Sequence, residues 1–270
     1  MLGFIVAFRP KSKSKNWTED SMLLQHTLGS ICNQTENDFI VFVIFTDMPD
    51  IEYDQEKIVF IKFPYELMYQ EQLIEYQLKQ EPLFNVAKNT KLELDFDKSR
   101  RIQFGCERAK EISCNFIMSV DADDLISNKI VAFVNLHKDK PLGWYVEKGY
   151  MKRLGHPFFI KVNKQMVNIN GSSNIVRADL VPVADFSSTL IEEYAFFHWH
   201  AYLRHRLNQE HKKVMKPLPF FAVVYILHDS SLSGYGSFLR TQYLKTALKY
   251  LMRGKFITKS LQKEFGFIQN

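Results

Sequence analysis

Three short, nearly unbroken apolar runs set the terms for this chain: LGFIVAF at 2–8, FIVFVIF at 39–45 and NFIMSV at 115–120. Their β-branched and aromatic content, without polar alternation, suits strands covered on both faces. Between them the apolar period changes. Leu24, Leu28 and Ile31 recur at helical spacing behind Thr18, Glu19 and Asp20, an acidic first turn that favours a helix N-terminus. Ile102, Cys106, Ala109 and Ile112 keep the same spacing within 98–114, and residues 58–63 form a weaker third strand candidate before Pro64. Strands alternating with helices require right-handed crossovers, hence an α/β fold with a mainly parallel sheet and helices on both faces. In such sheets ligands gather beyond the carboxyl ends of the strands, where Arg9, Asp47 and Asp121 all emerge.

The second half is less regular. Residues 128–137 predict a short helix, and 143–146, 158–162 and 174–176 predict strand pieces between Gly and polar turns. Residues 191–207 predict a helix crowded with aromatics and histidines, and 220–227 a strand that ends at His228. No internal repeat or low-complexity linker divides the chain. The expectation is one domain over 1–270: a Rossmann-like half at 1–125, a smaller mixed half at 126–236 and a basic amphipathic C-terminal helix at 237–270.

A chain of 270 residues with 46% hydrophobic and 14% aromatic content can bury one substantial core. The net charge of +5 suits an anionic small molecule or a lipid surface better than nucleic acid, which is not expected as a partner. Cys32, Cys106 and Cys114 are odd in number and sit in apolar or helical contexts, so they read as reduced thiols. Arg9, Pro10 and Lys11 break the first apolar run at once, and no segment approaches the length of a membrane span. A cytoplasmic location is the expectation.

FIMSVDADD at 116–124 drives a buried strand into three carboxylates. Such crowding is tolerable only beside a cation, hydrogen-bond donors or open water. Asp121 and Asp123 can share one hard divalent ion, which prefers oxygen ligands and also takes the oxygens of a diphosphate. The plainer alternative is that Asp123 or Asp124 caps a helix starting near Leu125. Placement at the end of a buried strand in an α/β pattern favours a site.

Two segments in order resemble family 2 glycosyltransferases: LLQHTLGSICNQTENDFIVFVIFTD at 23–47 and RRIQFGCERAKEISCNFIMSVDADD at 100–124. The resemblance covers roughly residues 1–125. It implies a GT-A fold, a nucleotide-diphosphate sugar donor with a UDP-sugar favoured, and Mn2+ or Mg2+ as cofactor. In that reading Ala7, Arg9 and Asp47 frame the nucleobase, and Arg101 lies near the nucleotide. Asp121 reaches the ribose or a metal-bound water, and Asp123 ligates the metal. Two places depart from the family: Arg9 and Pro10 stand where a Tyr-Asn pair is common, and Thr46, Asp47 and Met48 where a doubled Asp is common.

On the acceptor side, GSSNIVRADLVP at 171–182 resembles the family's glycine-led strand. IEEYAFFHWH at 191–200 falls where an acidic pair supplies the base that deprotonates a glycan or lipid-linked hydroxyl. Glu193 is the expected base, with Glu192 and then Asp185 behind it; a solvated helix turn is the plain alternative for Glu192 and Glu193. His198 and His200 are two apart and cannot share one ion on a helix; both read first as partly buried polar edges of an aromatic helix, with His200 also an acceptor-side candidate. His228 falls where the family places a late metal or diphosphate ligand, and neutral imidazole suits manganese; a structural turn residue closing the strand is the plain alternative.

The Ser/Gly stretch DSSLSGYGS at 229–237 is either a lid or a connector. Lys245, Lys249 and Arg253 form a basic stripe beside Leu244, Leu248 and Leu251, which suits either a core-docked helix or peripheral contact with the inner face of a membrane. Two other functions fit a DxD triplet. One is a haloacid-dehalogenase-type phosphatase, whose motif usually lies on the first strand; the other is a non-catalytic module binding a nucleotide sugar or glycan.

Overall fold

The computed structural model describes residues 1–53, 56–66, 90–137, 142–188, 191–197, 200–228 and 254–267. The three apolar runs become β1 (Leu2–Ala7), β2 (Phe39–Phe45) and β4 (Phe116–Asp121), with β3 (Ile58–Lys62) from the weaker candidate. β1 lies between β2 and β4, parallel to both, and β3 extends the sheet parallel to β2. The antiparallel strand β9 (Asn174–Arg177) joins β4, followed by β6 (Gly143–Tyr145) and the short β10 (Lys216–Pro217). The result is a seven-stranded, mostly parallel sheet flanked by helices, the expected α/β architecture.

Period-two geometry sorts each strand between two cores. Leu2, Phe4 and Val6 of β1 pack with Leu24, Leu28 and Ile31 of α1 (Trp17–Cys32), whereas Ile5 packs with Ile102, Cys106 and Ala109 of α2 (Thr90–Glu111) on the opposite face. Asn16 starts α1 by accepting a hydrogen bond from the Glu19 backbone N–H at 3.2 Å, with Glu19 and Asp20 in its first turn. On the other face α2 approaches the sheet so closely that a Cβ at Gly105 would stand 2.5 Å from Ile5 Cγ2. Cys106 and Cys114 are buried free thiols, Cys32 is a half-buried one, and burial raises the pKa of all three.

A second sheet of five strands runs β12 (Gly254–Phe256), β8 (Phe158–Val162), β7 (Lys148–Arg153), β11 (Phe221–Leu227) and β5 (Leu125–Ile126). Three short helices complete the described elements: α3 (Ile130–Leu136), α4 (His200–His211) and α5 (Lys259–Phe265).

Several sequence expectations change here. Residues 191–207 are not one helix: a 3-10 turn at Ile191–Tyr194 precedes α4, and the Tyr194 hydroxyl donates to the carbonyls of Asp185 (2.6 Å) and Ser188 (2.8 Å), tying that turn to the preceding loop. Residues 237–270 are not a continuous helix either, because Gly254–Phe256 pairs antiparallel with β8 before α5 begins. The basic stripe at 245–253, His198 and the 229–237 stretch lie outside the described residues. β7, a central strand of its sheet, went unrecognised because its sequence KGYMKR carries three cations and a glycine. No helix among the described residues is long and apolar enough to cross a membrane.

Candidate active site

The acidic segment is the crossing point between the two sheets. Asp121 closes β4 of the large sheet, and Leu125 opens β5 of the small one. Asp123 and Asp124 therefore do not cap a helix at Leu125, since the next helix begins only at Ile130. Oxygens of Asp121, Asp123 and Asp124 all lie within 4.8 Å of one another.

The three carboxylates are hydrogen-bonded or ion-paired to different side chains, with Ser172 also bonded to the Asp121 backbone. Asp124 is fully buried, and its Oδ2 accepts from Asn170 Nδ2 and Ser172 Oγ, both at 2.6 Å. Burial pushes its carboxyl pKa well up, and the neighbouring Asp123 and Asp121 push the same way. Asp123 Oδ2 lies 2.8 Å from His228 Nε2. Burial alone would raise the Asp123 carboxyl pKa, but His228, Lys98 and Arg9 outweigh it and hold the group below its ordinary value. Asp121 Oδ1 is 2.6 Å from Lys98 Nζ, while its backbone N–H donates to Ser172 Oγ at 2.8 Å. Although burial opposes the charge on Lys98, Asp121 prevails and raises the ammonium pKa.

A cavity of about 290 Å3 opens at the carboxyl ends of β1 and β4, at the small end of the ~300–1,000 Å3 range usual for ligand pockets. Six sequence candidates line it: Ala7, Arg9, Arg101, Asp121, Asp123 and His200. Arg101 is almost completely buried. Its Nε and Nη2 donate to Asp97 at 2.6 and 3.1 Å, and Nη2 also donates to Thr46 Oγ1 at 2.6 Å. Its guanidinium lies 4.7 Å from the Phe63 ring centre, and Nη1 has no partner among the described residues. Arg9 Nε is 3.7 Å from Asp20 Oδ2, which also accepts from Ser14 Oγ.

The remaining candidates stand apart from this lining. Asp47 accepts from the Lys11 backbone N–H at 2.8 Å and so pins the end of β2 to the turn after β1. His228 is not among the residues lining the cavity and is hydrogen-bonded to Asp123. Glu193 is on the 3-10 turn packed against α2 and does not line the cavity. Glu192 shares that turn, with its side chain outside the described set. Asp185 is exposed, and its Oδ1 accepts from the Ser187 backbone and hydroxyl, a turn-closing role.

Sequence reasoning missed Lys98, Asp95, Asn170 and Gly171, all of which line the cavity. Lys98 lies three residues before Arg101 on α2 and so shares its face, a periodicity visible in the sequence. Gly171 carries a different signal. A Cβ there would stand 2.7 Å from Asp121 Oδ2, so the backbone of the 170–172 turn forms the wall against which the carboxylate rests.

Chemically, the site sets hard oxygen donors beside Lys98, Arg9 and the unpartnered Nη1 of Arg101. The clustered carboxylates, with oxygens within 4.8 Å of one another, fit a divalent cation. The cations beside them fit phosphate oxygens.

No family model matches the sequence, and no curated relative matches it. Among solved structures, S. aureus TarS 1–349 in complex with UDP-GlcNAc aligns at 14% identity with a TM-score of 0.45, covering 97% of this chain and 69% of that one. A putative nucleotide-diphospho-sugar transferase from Desulfovibrio desulfuricans G20 aligns at 10% identity and TM-score 0.34, covering 92% and 96%. An active-site mutant of LgtC aligns at 9% and 0.33, covering 99% and 84%.

Proposed function

We propose that this chain is a metal-dependent glycosyltransferase of GT-A type that moves a sugar from a nucleotide diphosphate, with a UDP-sugar favoured, to a hydroxyl of a glycan or lipid-linked acceptor. One observation carries the reading: Asp121 and Asp123 meet Arg9 and Lys98 in a single cavity at the carboxyl ends of parallel strands.

Asp121 and Asp123 are the residues that would hold Mn2+ or Mg2+, with His228 behind Asp123. When bound, the ion neutralises charge on the departing diphosphate. Asp124 acts on the protein side by fixing the 170–172 turn and the end of β4 through Asn170 and Ser172, so the two outer carboxylates keep their aim. Lys98 and Arg9 supply positive charge at the phosphate end of the cavity, preorganised by Asp121 and Asp20. Ala7, whose strand ends at the cavity, leaves room for the nucleoside. Cytoplasmic location and contact with the inner membrane face remain part of this proposal through the basic residues near the C-terminus.

Calorimetry with UDP and UDP-GlcNAc, with and without Mn2+, tests the reading; UDP-GlcNAc is the ligand of the TarS complex. Binding that requires the metal and is lost in Asp123→Ala supports it. Metal-independent binding, or none, refutes the metal role. Metal-dependent binding without transfer to any acceptor favours a non-catalytic module.

A further inference from the structure

A second cavity, of about 340 Å3, lies on the other side of Asp123 from the first. Asp123 and Leu23 line both cavities, so one carboxylate and one leucine form the partition. The far walls come from α1, from the β7–β8 turn and from β11.

Its central feature is Lys152 on β7, which is only 5% exposed. The ammonium sits 4.9 Å from the Phe267 ring centre, and no carboxylate pairs with it among the described residues. Asp123, the acid on that wall, is already bonded to His228. Burial pulls the Lys152 pKa down, as expected of an ammonium without a counter-charge. Enclosing a cation in this way is costly, and a methionine would serve the strand's packing better. His26 and His156 stand at the same cavity and add no acid. The rest of the lining is apolar: Leu23, Leu125 and Ile226 are buried, and Leu154 is half-buried beside them. Among the described residues the cavity thus offers an unpaired cation beside an apolar wall, which an anionic, partly apolar ligand fits.

We infer that this cavity binds a small amphiphilic anion, its phosphate or carboxylate paired with Lys152 and its apolar part laid on Leu23, Leu125, Leu154 and Ile226. Naming that ligand as the acceptor rests on the transferase reading, because the shared wall at Asp123 puts it next to the donor cavity.

The test is calorimetry on the whole chain with hexyl phosphate and hexanoate as anionic probes and hexanol as the uncharged control. At least one anion binds, hexanol binds at least about tenfold more weakly, and Lys152→Met weakens the anion by about tenfold or more while Lys152→Arg retains it. UDP with Mn2+ at saturation leaves anion binding unchanged. Equal binding by Lys152→Met, or displacement of the anion by UDP, overturns the inference. Should Lys152→Met fail to fold by circular dichroism, Lys152→Gln replaces it, and the same affinity loss of about tenfold is expected; unchanged affinity overturns the inference. The two readings fail separately. If UDP binds and neither anion does, the second cavity is refuted alone. If an anion binds and UDP with Mn2+ does not, the cavity stands and the name of acceptor falls with the transferase reading.

Discussion

Gly171→Ala is the sharpest test of whether Asp121 must stand where the structure places it. The new Cβ would lie 2.7 Å from Asp121 Oδ2 and 3.0 Å from Oδ1. The nearer contact is about 0.7 Å inside ordinary van der Waals distance. Asp121 cannot yield freely, because its other oxygen is tied to Lys98 at 2.6 Å and its backbone N–H to Ser172. Rotation of the carboxylate relieves the clash and breaks the Lys98 contact. The cost to folding is small, about 1 kcal/mol, because a partly exposed side chain moves and not the core. The cost to the site is larger. Losing one carboxylate's position lowers metal-dependent nucleotide affinity by about tenfold, or 1.4 kcal/mol. Urea unfolding and calorimetry with UDP and Mn2+ on the same preparation separate the two. A variant that is folded and binds as the wild type does would refute the claim that the 170–172 turn aims Asp121.

Other predictions follow from the same geometry. Asp123→Ala abolishes Mn2+-dependent binding of UDP with the fold intact by circular dichroism; unchanged binding removes Asp123 from the metal site. Glu193→Gln leaves donor binding and transfer intact because the carboxylate does not line the cavity, and a loss of about a hundredfold in turnover would restore it as the base. Asp124 titrates above its unfolded value, so it stabilises the fold below about pH 4 and that contribution fades as pH rises through its elevated pKa. The stability of the wild type relative to Asp124→Asn, measured in metal-free buffer, therefore declines as pH rises above about pH 4, and a difference that grows with pH refutes it. Gly105→Ala destabilises by about 1–3 kcal/mol in urea unfolding, because overlap with Ile5 outweighs the gain in helix propensity.

The large sheet was readable because nothing competes with its pattern: β1, β2 and β4 are apolar on both faces, and α1 and α2 each show one apolar stripe. The acidic rim was readable for the same reason, since a buried strand that ends in charge must open onto something other than core. The small sheet was not. β7 buries Lys152 and alternates cations with Gly149 and Tyr150, so periodicity gives no strand signal, and its place is set by pairing with β8 and β11 far away in sequence. The same holds for the partners of the carboxylates. Asn170, Ser172 and His228 become neighbours of Asp123 and Asp124 only through tertiary contacts. The 3-10 turn that carries Glu193 was illegible for the same reason, because it is fixed by the Tyr194 hydroxyl bonding back to the carbonyls of Asp185 and Ser188, which periodicity does not show.

Because the acidic segment bridges both sheets, an excised N-terminal portion ending near residue 125 would carry every carboxylate of the triad but lack Asn170, Ser172, Ile226 and His228, which grip two of them. Grafting β4 and its charges onto another scaffold would transplant the repulsion without its restraint. The aim of these carboxylates is thus set by segments more than a hundred residues away in sequence.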